Sequence, residues 1–289
     1  MTMADQSTRI RVALDPEWSF VKGKMGCRWL CSGDGPAGET VALPHCWNAR
    51  DSYQYDVAYY RGYGSYRKRF RVPAGVSHDG DMDWSLESEG FYGTGSVWLN
   101  GHKLSDVDGQ YLGFSLGMGK HLLDDSENMI GIRLTNRCRS HVLPGIKMPD
   151  FVLYGGLSGR MWLQGTPSLH LDVGRTAVRC REITQASATV GIRFVLVNMS
   201  ERRWCCTVNW VVVDSLGNEV CSMGPIRAYL KESGESGEFH VEGEIPRPQL
   251  WGPDNPVLYR AVCRITENGR VQDCESVRFG IRHAAFLPR

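Results

Sequence analysis

Ser96-Val97-Trp98-Leu99-Asn100-Gly101-His102-Lys103-Leu104 reads as a strand, a two-residue turn and a second strand. Asn and Gly tolerate the positive φ angles that a tight hairpin turn requires, so the reading has a mechanical cause. The period of two recurs outward in both directions. Ile130, Ile132 and Leu134 alternate with Gly131, Arg133 and Thr135, the pattern of a half-buried strand. Further strands are expected from Tyr66 to Val72, Trp84 to Glu89, Arg160 to Leu163, Val190 to Val197, Cys206 to Val213 and Leu258 to Ile265. Turn residues stand between them at Asp79-Gly80, Gly117-Met118-Gly119, Leu216-Gly217-Asn218 and Glu267-Asn268-Gly269. Long helical periodicity is hard to find. Many short strands joined by such turns point to an all-β chain of sandwiches or barrels, not to alternating βαβ units.

A length of 289 residues suggests about two domains at roughly 100–200 residues each. The seam falls near Gly165-Thr166-Pro167-Ser168. Residues 1–166 are expected to form a larger sandwich, rich in Gly and aromatics, and residues 167–289 a smaller one of immunoglobulin-like size. The net charge of +1 provides no basic field, so non-specific nucleic-acid binding loses its electrostatic support. The longest apolar runs, such as Trp210-Val211-Val212-Val213, are far shorter than the roughly 20 residues of a membrane helix. The first residues lack the basic start and apolar segment of a secretory signal, which makes the cytoplasm the expected location.

The ten cysteines are scattered, and no pair has the C-x-x-C spacing of a zinc or redox site. They are expected to be free, mostly buried thiols, with Cys27 and Cys138 the more reactive because of basic neighbours. No H-E-x-x-H, G-x-S-x-G or full calcium-loop pattern occurs, and neither a metal nor a cofactor is implied. Glu87 and Glu89 share one face of a strand in a polar context. Asp106 and Asp108 are expected in a loop, where Asp commonly serves turns.

Seven segments, in order, resemble the N-terminal half of glycoside hydrolase family 2, which includes β-galactosidases, β-glucuronidases and β-mannosidases. Leu43-Pro44-His45-Cys46-Trp47-Asn48 is similar to the family's Leu-Pro-His-x-Trp-Asn segment, and Tyr60 to Lys68 to its Tyr-x-Gly-x-x-x-Tyr-Arg-Lys stretch. Val97 to Gly101 resembles its Val-x-x-Asn-Gly hairpin, and Asn128 to Arg133 its Asn-x-Ile-x-Val-Arg strand. Tyr154-Gly155-Gly156-Leu157 is like the Tyr-Gly-Gly-Ile that closes the sugar-binding domain, and the resemblance implies a jelly roll for residues 1–166. Leu250 to Tyr259 and Phe279-Gly280-Ile281-Arg282 resemble the Leu-Trp-x-Pro-x-x-Pro-x-Leu-Tyr and Phe-Gly-x-Arg signatures of the immunoglobulin-like domain. Local chemistry gives these motifs plain roles as well. Trp251 reads as a packing corner, Trp47 as a core residue, and Gly155-Gly156 as a bulge or a close backbone approach.

The resemblance implies that the two catalytic glutamates of family members lie on a (β/α)8 barrel that follows these domains. Such a barrel takes about 250 residues. Arg289 lies only eight residues past Ile281. The chain is therefore expected to be the ancillary part of a β-galactosidase-like, retaining enzyme, inactive alone and cut from a longer reading frame. The resemblance also implies two substrate contacts. Asp150 stands four residues before Tyr154, where the family places a carboxylate that hydrogen-bonds sugar hydroxyls, and Asp56 is a looser candidate for the second. A loop cap or an ion pair with Arg160 is the plain alternative for Asp150. Two segments depart from the family pattern: Val107-Asp108-Gly109-Gln110-Tyr111 and Gly156-Leu157-Ser158-Gly159, the latter where Gly-Ile-Tyr-Arg is usual. The expected partners are a β-glycoside and a barrel in cis or in trans, with homo-oligomer formation left open. Alternatives are a stand-alone carbohydrate-binding protein, supported by nine Trp, and a scaffold docking a barrel through an apolar patch near Phe279 to Phe286.

Overall fold

The computed structural model describes residues 8–53, 58–73, 82–109, 111–143, 145–146, 150–231 and 234–284. They fall into two compact units. One holds residues 10–73 and 83–165; the other holds Thr8, Arg9, Met82 and residues 166–284.

In the first unit the strands are β1 (Ile10–Ala13), β2 (Trp18–Lys22), β3 (Glu39–Val41), β4 (His45–Cys46), β5 (Tyr63–Phe70), β6 (Met82–Ser88), β7 (Thr94–Leu99), β8 (His102–Asp108), β9 (Phe114–Gly117), β10 (Asn128–Thr135), β11 (Gly156–Leu157) and β12 (Met161–Pro167). A four-stranded sheet runs β1-β12-β6-β9 and a six-stranded sheet β3-β2-β5-β10-β7-β8, with β4 and β11 paired apart from both. Strand alternation sets the core: Ile130, Ile132 and Leu134 of β10, Val97 and Leu99 of β7 and Tyr66 of β5 are fully buried on one face. The hairpin turn that opened the sequence reading has φ of 49° at Asn100 and 88° at Gly101, both positive as a type I′ turn needs.

One short helix, α1 (Cys27–Ser32), was not legible in the sequence. It covers part of the six-stranded sheet's outer face, where Trp29, Leu30 and the outward-pointing Trp98 form a small apolar cluster. A side chain could not replace the hydrogen at Gly131, because its Cβ would lie 2.6 Å from the Leu30 carbonyl oxygen.

The second unit contains β13 (Leu169–Arg181), β14 (Ser187–Asn198), β15 (Trp204–Val213), β16 (Glu219–Leu230), β17 (Ser236–Pro246), β18 (Tyr259–Glu267) and β19 (Arg270–Phe279). Sheets β13-β14-β17 and β16-β15-β18-β19 make a sandwich of the immunoglobulin-like kind. Its core alternates strictly along three strands: Val190, Ile192 and Phe194; Val208, Trp210 and Val212; Ala261, Cys263 and Ile265. Asp273 is buried beside it and receives Arg9 Nη2 at 2.8 Å and the Leu171 amide at 2.9 Å.

Several expectations are corrected. Asp106 and Asp108 lie on strand β8, pointing outward, not in a loop. Glu87 is on β6 and half-buried, accepting from Ser85 Oγ at 2.7 Å and Ser115 Oγ at 2.6 Å, while Glu89 lies just past the strand end. All ten cysteines are free, yet only Cys206, Cys221, Cys263 and Cys274 are buried, and Cys27 and Cys205 are exposed. Burial pushes the Cys206 thiol up to about 11 and raises Cys31, so these sulfurs stay protonated near neutral pH. Trp251 packs from a loop, where its amide donates to the Ile281 carbonyl at 2.7 Å and its Cβ faces Gly280. Phe279 is half-buried and stacks on Tyr259; the rest of the expected Phe279 to Phe286 patch includes Ile281, which is fully buried, and residues outside those described.

Candidate functional site

Two parts of the first unit, residues 47–62 and residues 136–155 as far as they are described, are tied together by a pair of buried asparagines. Asn48 Nδ2 donates to the carbonyls of Leu153 at 3.0 Å and Tyr60 at 3.4 Å, and its Oδ1 accepts the Gly155 amide at 3.0 Å. Asn136 repeats the pattern, donating to Leu153 at 2.8 Å and Tyr60 at 3.0 Å and accepting the Gly62 amide at 2.9 Å. An amide side chain carries both a donor and an acceptor, which is what joining two irregular backbones requires. Asp51 adds a carboxylate to the Tyr60 amide at 2.8 Å.

Trp47 is the packing centre under these loops. Its ring lies parallel to that of Phe20, at a centroid distance of 6.2 Å, and against Gly64 and Gly155. A Cβ at Gly155 would come within 2.0 Å of the Trp47 ring. Close backbone approach is therefore the reason for this glycine. His45 Nδ1 sits 2.8 Å from the Tyr66 hydroxyl. Burial lowers the imidazole pKa and raises that of the phenol well above its usual range, so both groups stay neutral.

On this base the segment after residue 149 is held at the surface. Asp150 is exposed on a bend and has neither a hydrogen bond nor an ion pair among the described residues. Its expected alternative partner is engaged elsewhere: Arg160 Nε donates to Asp15 Oδ2 at 2.7 Å. Phe151, half exposed, is held by the Tyr59 hydroxyl, which donates to its carbonyl at 3.3 Å, and Arg61 in turn donates to that hydroxyl. Tyr92 lies edge-on to Tyr111 at 4.8 Å and tilted to Tyr154 at 5.9 Å. Tyr111 and Tyr154 are exposed. Asp56 lies outside the described residues, so the pair is not brought together here. Asn48, Tyr111 and Tyr154 were quoted in the sequence only as members of motifs; Asn136 and Tyr92, and the bridging and clustering of all five, were missed, because an isolated Asn reads as a turn former and scattered Tyr carries no period. Chemically, the region offers an unpartnered carboxylate, suited to sugar hydroxyls, and exposed aromatic rings, suited to ring C–H surfaces.

Fold and site together define a class: two all-β sandwiches, one carrying a loop-borne surface carboxylate, with no barrel among the described residues. Residues 175–282 match glycosyl hydrolases family 2. A β-galactosidase of Bacteroides ovatus is 27% identical over 83% of this chain and 28% of its own length. A β-glucuronidase of Formosa agariphila is 23% identical over 97% of this chain and 30% of its own. A Bacteroides uniformis β-glucuronidase structure superimposes with a TM-score of 0.82 at 21% identity, covering 95% of this chain and 32% of that one. The chain is thus similar to the β-galactosidases and β-glucuronidases of that family over about a third of their length, with the family match itself on the second unit.

Proposed function

We propose that this chain is the non-catalytic, sugar-contacting part of a family 2 glycosidase that cleaves a β-glycoside with retention. The observation that carries the reading is the unpartnered Asp150 carboxylate, presented at the surface by loops that Asn48 and Asn136 lock together. In this role Asp150 accepts hydrogen bonds from substrate hydroxyls, and Asp56 supplies the second contact. The jelly-roll sandwich to residue 166 presents the loops, and the immunoglobulin-like sandwich from residue 167 supports a (β/α)8 barrel that bears the two carboxyl groups of the reaction. The barrel is supplied in cis or in trans. Sequencing the gene beyond Arg289 separates these arrangements. Whichever supplies it, Asp150→Asn removes a charged acceptor and is expected to raise KM for a 4-nitrophenyl β-galactoside or β-glucuronide about tenfold. An unchanged kcat/KM for both would contradict the assignment.

A second reading, stand-alone carbohydrate binding, is favoured by the exposed aromatics Tyr111, Phe151 and Tyr154. Calorimetry against galactosides, glucuronides and mannosides distinguishes it, since silence across all three removes it.

A further inference from the structure

The six-stranded sheet of the first unit has an outer face that is only partly covered by α1. Beyond the helix, strand pairing lines up two rows of outward residues. Asp108, Thr94, Thr135 and Tyr63 are successive cross-strand partners on β8, β7, β10 and β5, and Asp106, Ser96 and Arg133 form the row beside them. These rows floor a cavity of about 340 Å³ that Lys24, Arg139 and His141 help to enclose. Its size is at the lower end of the range for small-molecule sites, about 300–1,000 Å³, and suits one or two sugar rings.

The charges in this cavity are unevenly satisfied. Asp106 is engaged by Lys103 Nζ and Ser96 Oγ, and Asp108 faces His141 Nε2 at 3.5 Å. Two of the cations have no such partner: Lys24 lies 5.3 Å from the centre of the Tyr63 ring, and neither it nor Arg139 meets a carboxylate among the described residues. Arg133 is fixed by donating to the Met25 carbonyl at 3.1 Å and by lying over the Trp98 ring. Thr94 is 5% exposed, lines the cavity, and its hydroxyl has no hydrogen bond among the described residues. Two cations without a carboxylate partner, a third shared with Asp106, carboxylates that can accept from hydroxyls, an unpartnered hydroxyl and an aromatic ring are complementary to one kind of ligand.

We propose that this face binds a saccharide carrying a carboxylate, its acid group held by Arg133, Arg139 and Lys24 and its hydroxyls by Asp106, Asp108 and Thr94. Asp150 does not line the cavity and no barrel is needed, so failure here and failure of the catalytic-support reading are separable. The probe is methyl β-D-glucuronide titrated into the full chain and followed by amide chemical shifts. Methyl β-D-glucoside, which differs in lacking the acid, and acetate, which lacks the ring, serve as controls. The expected result is saturable shifts at Tyr63, Thr94, Thr135 and Asp106 to Asp108, with the glucoside and acetate each about tenfold weaker. Arg139→Ala and Lys24→Ala each weaken glucuronide binding about tenfold, because each removes a charged donor. Arg179→Ala, an exposed cation on the second unit, leaves it unchanged. Absence of saturation, equal binding of the glucoside or of acetate, shifts confined to other surfaces, or wild-type affinity in both cavity variants would overturn the proposal.

Discussion

Gly156 adopts φ of 134°, and a Cβ there would lie 2.2 Å from the His45 carbonyl oxygen. Backbone strain and a clash with main chain add, so Gly156→Ala is expected to cost about 2–4 kcal/mol in urea unfolding. Full retention of stability would show that the Trp47 loops can part without penalty. Asp273 has a fully buried side chain whose ion-pair partner Arg9 is itself mostly buried. Asp273→Ala leaves Arg9 with Glu275 and the Leu171 carbonyl but removes the buried acceptor that Arg9, Thr8 and the Leu171 amide share, and should destabilise the second unit by about 1–3 kcal/mol, against a loss near zero if the pair were solvated. His45 gives a pH signature. Its folded pKa is depressed below 6.5, so the unfolded chain binds the proton that the folded chain refuses. Stability is therefore present above 6.5 and lost as pH falls from 6.5 toward the folded value. Part of that fall should disappear in His45→Gln, and identical pH profiles would refute the cause. At this scale the sequence was informative about which residues matter, since the Leu-Pro-His-x-Trp-Asn segment and Gly155-Gly156 were singled out. It could not show that they touch, because Trp47 and Gly155 are far apart in the chain and only the fold brings them together.

The elements most legible in the sequence were those with two agreeing signals. Val97 to Leu104 had alternation and an Asn-Gly turn, and β7 and β8 pair across that turn. Asn268-Gly269 repeats it between β18 and β19, with φ of 50° and 79°. A β-branched residue is strained at such angles, so Gly101→Val and Gly269→Val should each cost about 1–3 kcal/mol by thermal or urea unfolding, and an unchanged midpoint would contradict the turn assignment. Elements with one signal were misread. Asp106 and Asp108 suggest a loop because Asp favours turns. On β8 they face outward, beside Lys103, Ser96 and His141, and alternate with the buried Val107. Helix α1 is too short to show a period and is stabilised by the sheet under Trp29 and Leu30.

For the whole molecule, length and motif order pointed to two sandwiches; the described residues fall into two units, with Thr8, Arg9 and Met82 grouped with residues 166–284. The site was less legible than the fold. Asp150 was named from its place before Tyr154, whereas the rows on the six-stranded sheet appear only when register sets β5, β10, β7 and β8 side by side. Among the described residues, the segment at Asp150 offers one unpartnered carboxylate, whereas glycoside hydrolysis in most families needs two placed across the scissile bond. The most direct test is a steady-state assay of this chain alone with 4-nitrophenyl β-galactoside and β-glucuronide. No release of nitrophenol above the buffer rate is expected. Turnover that scales with protein concentration and survives repurification would contradict a supporting, non-catalytic role.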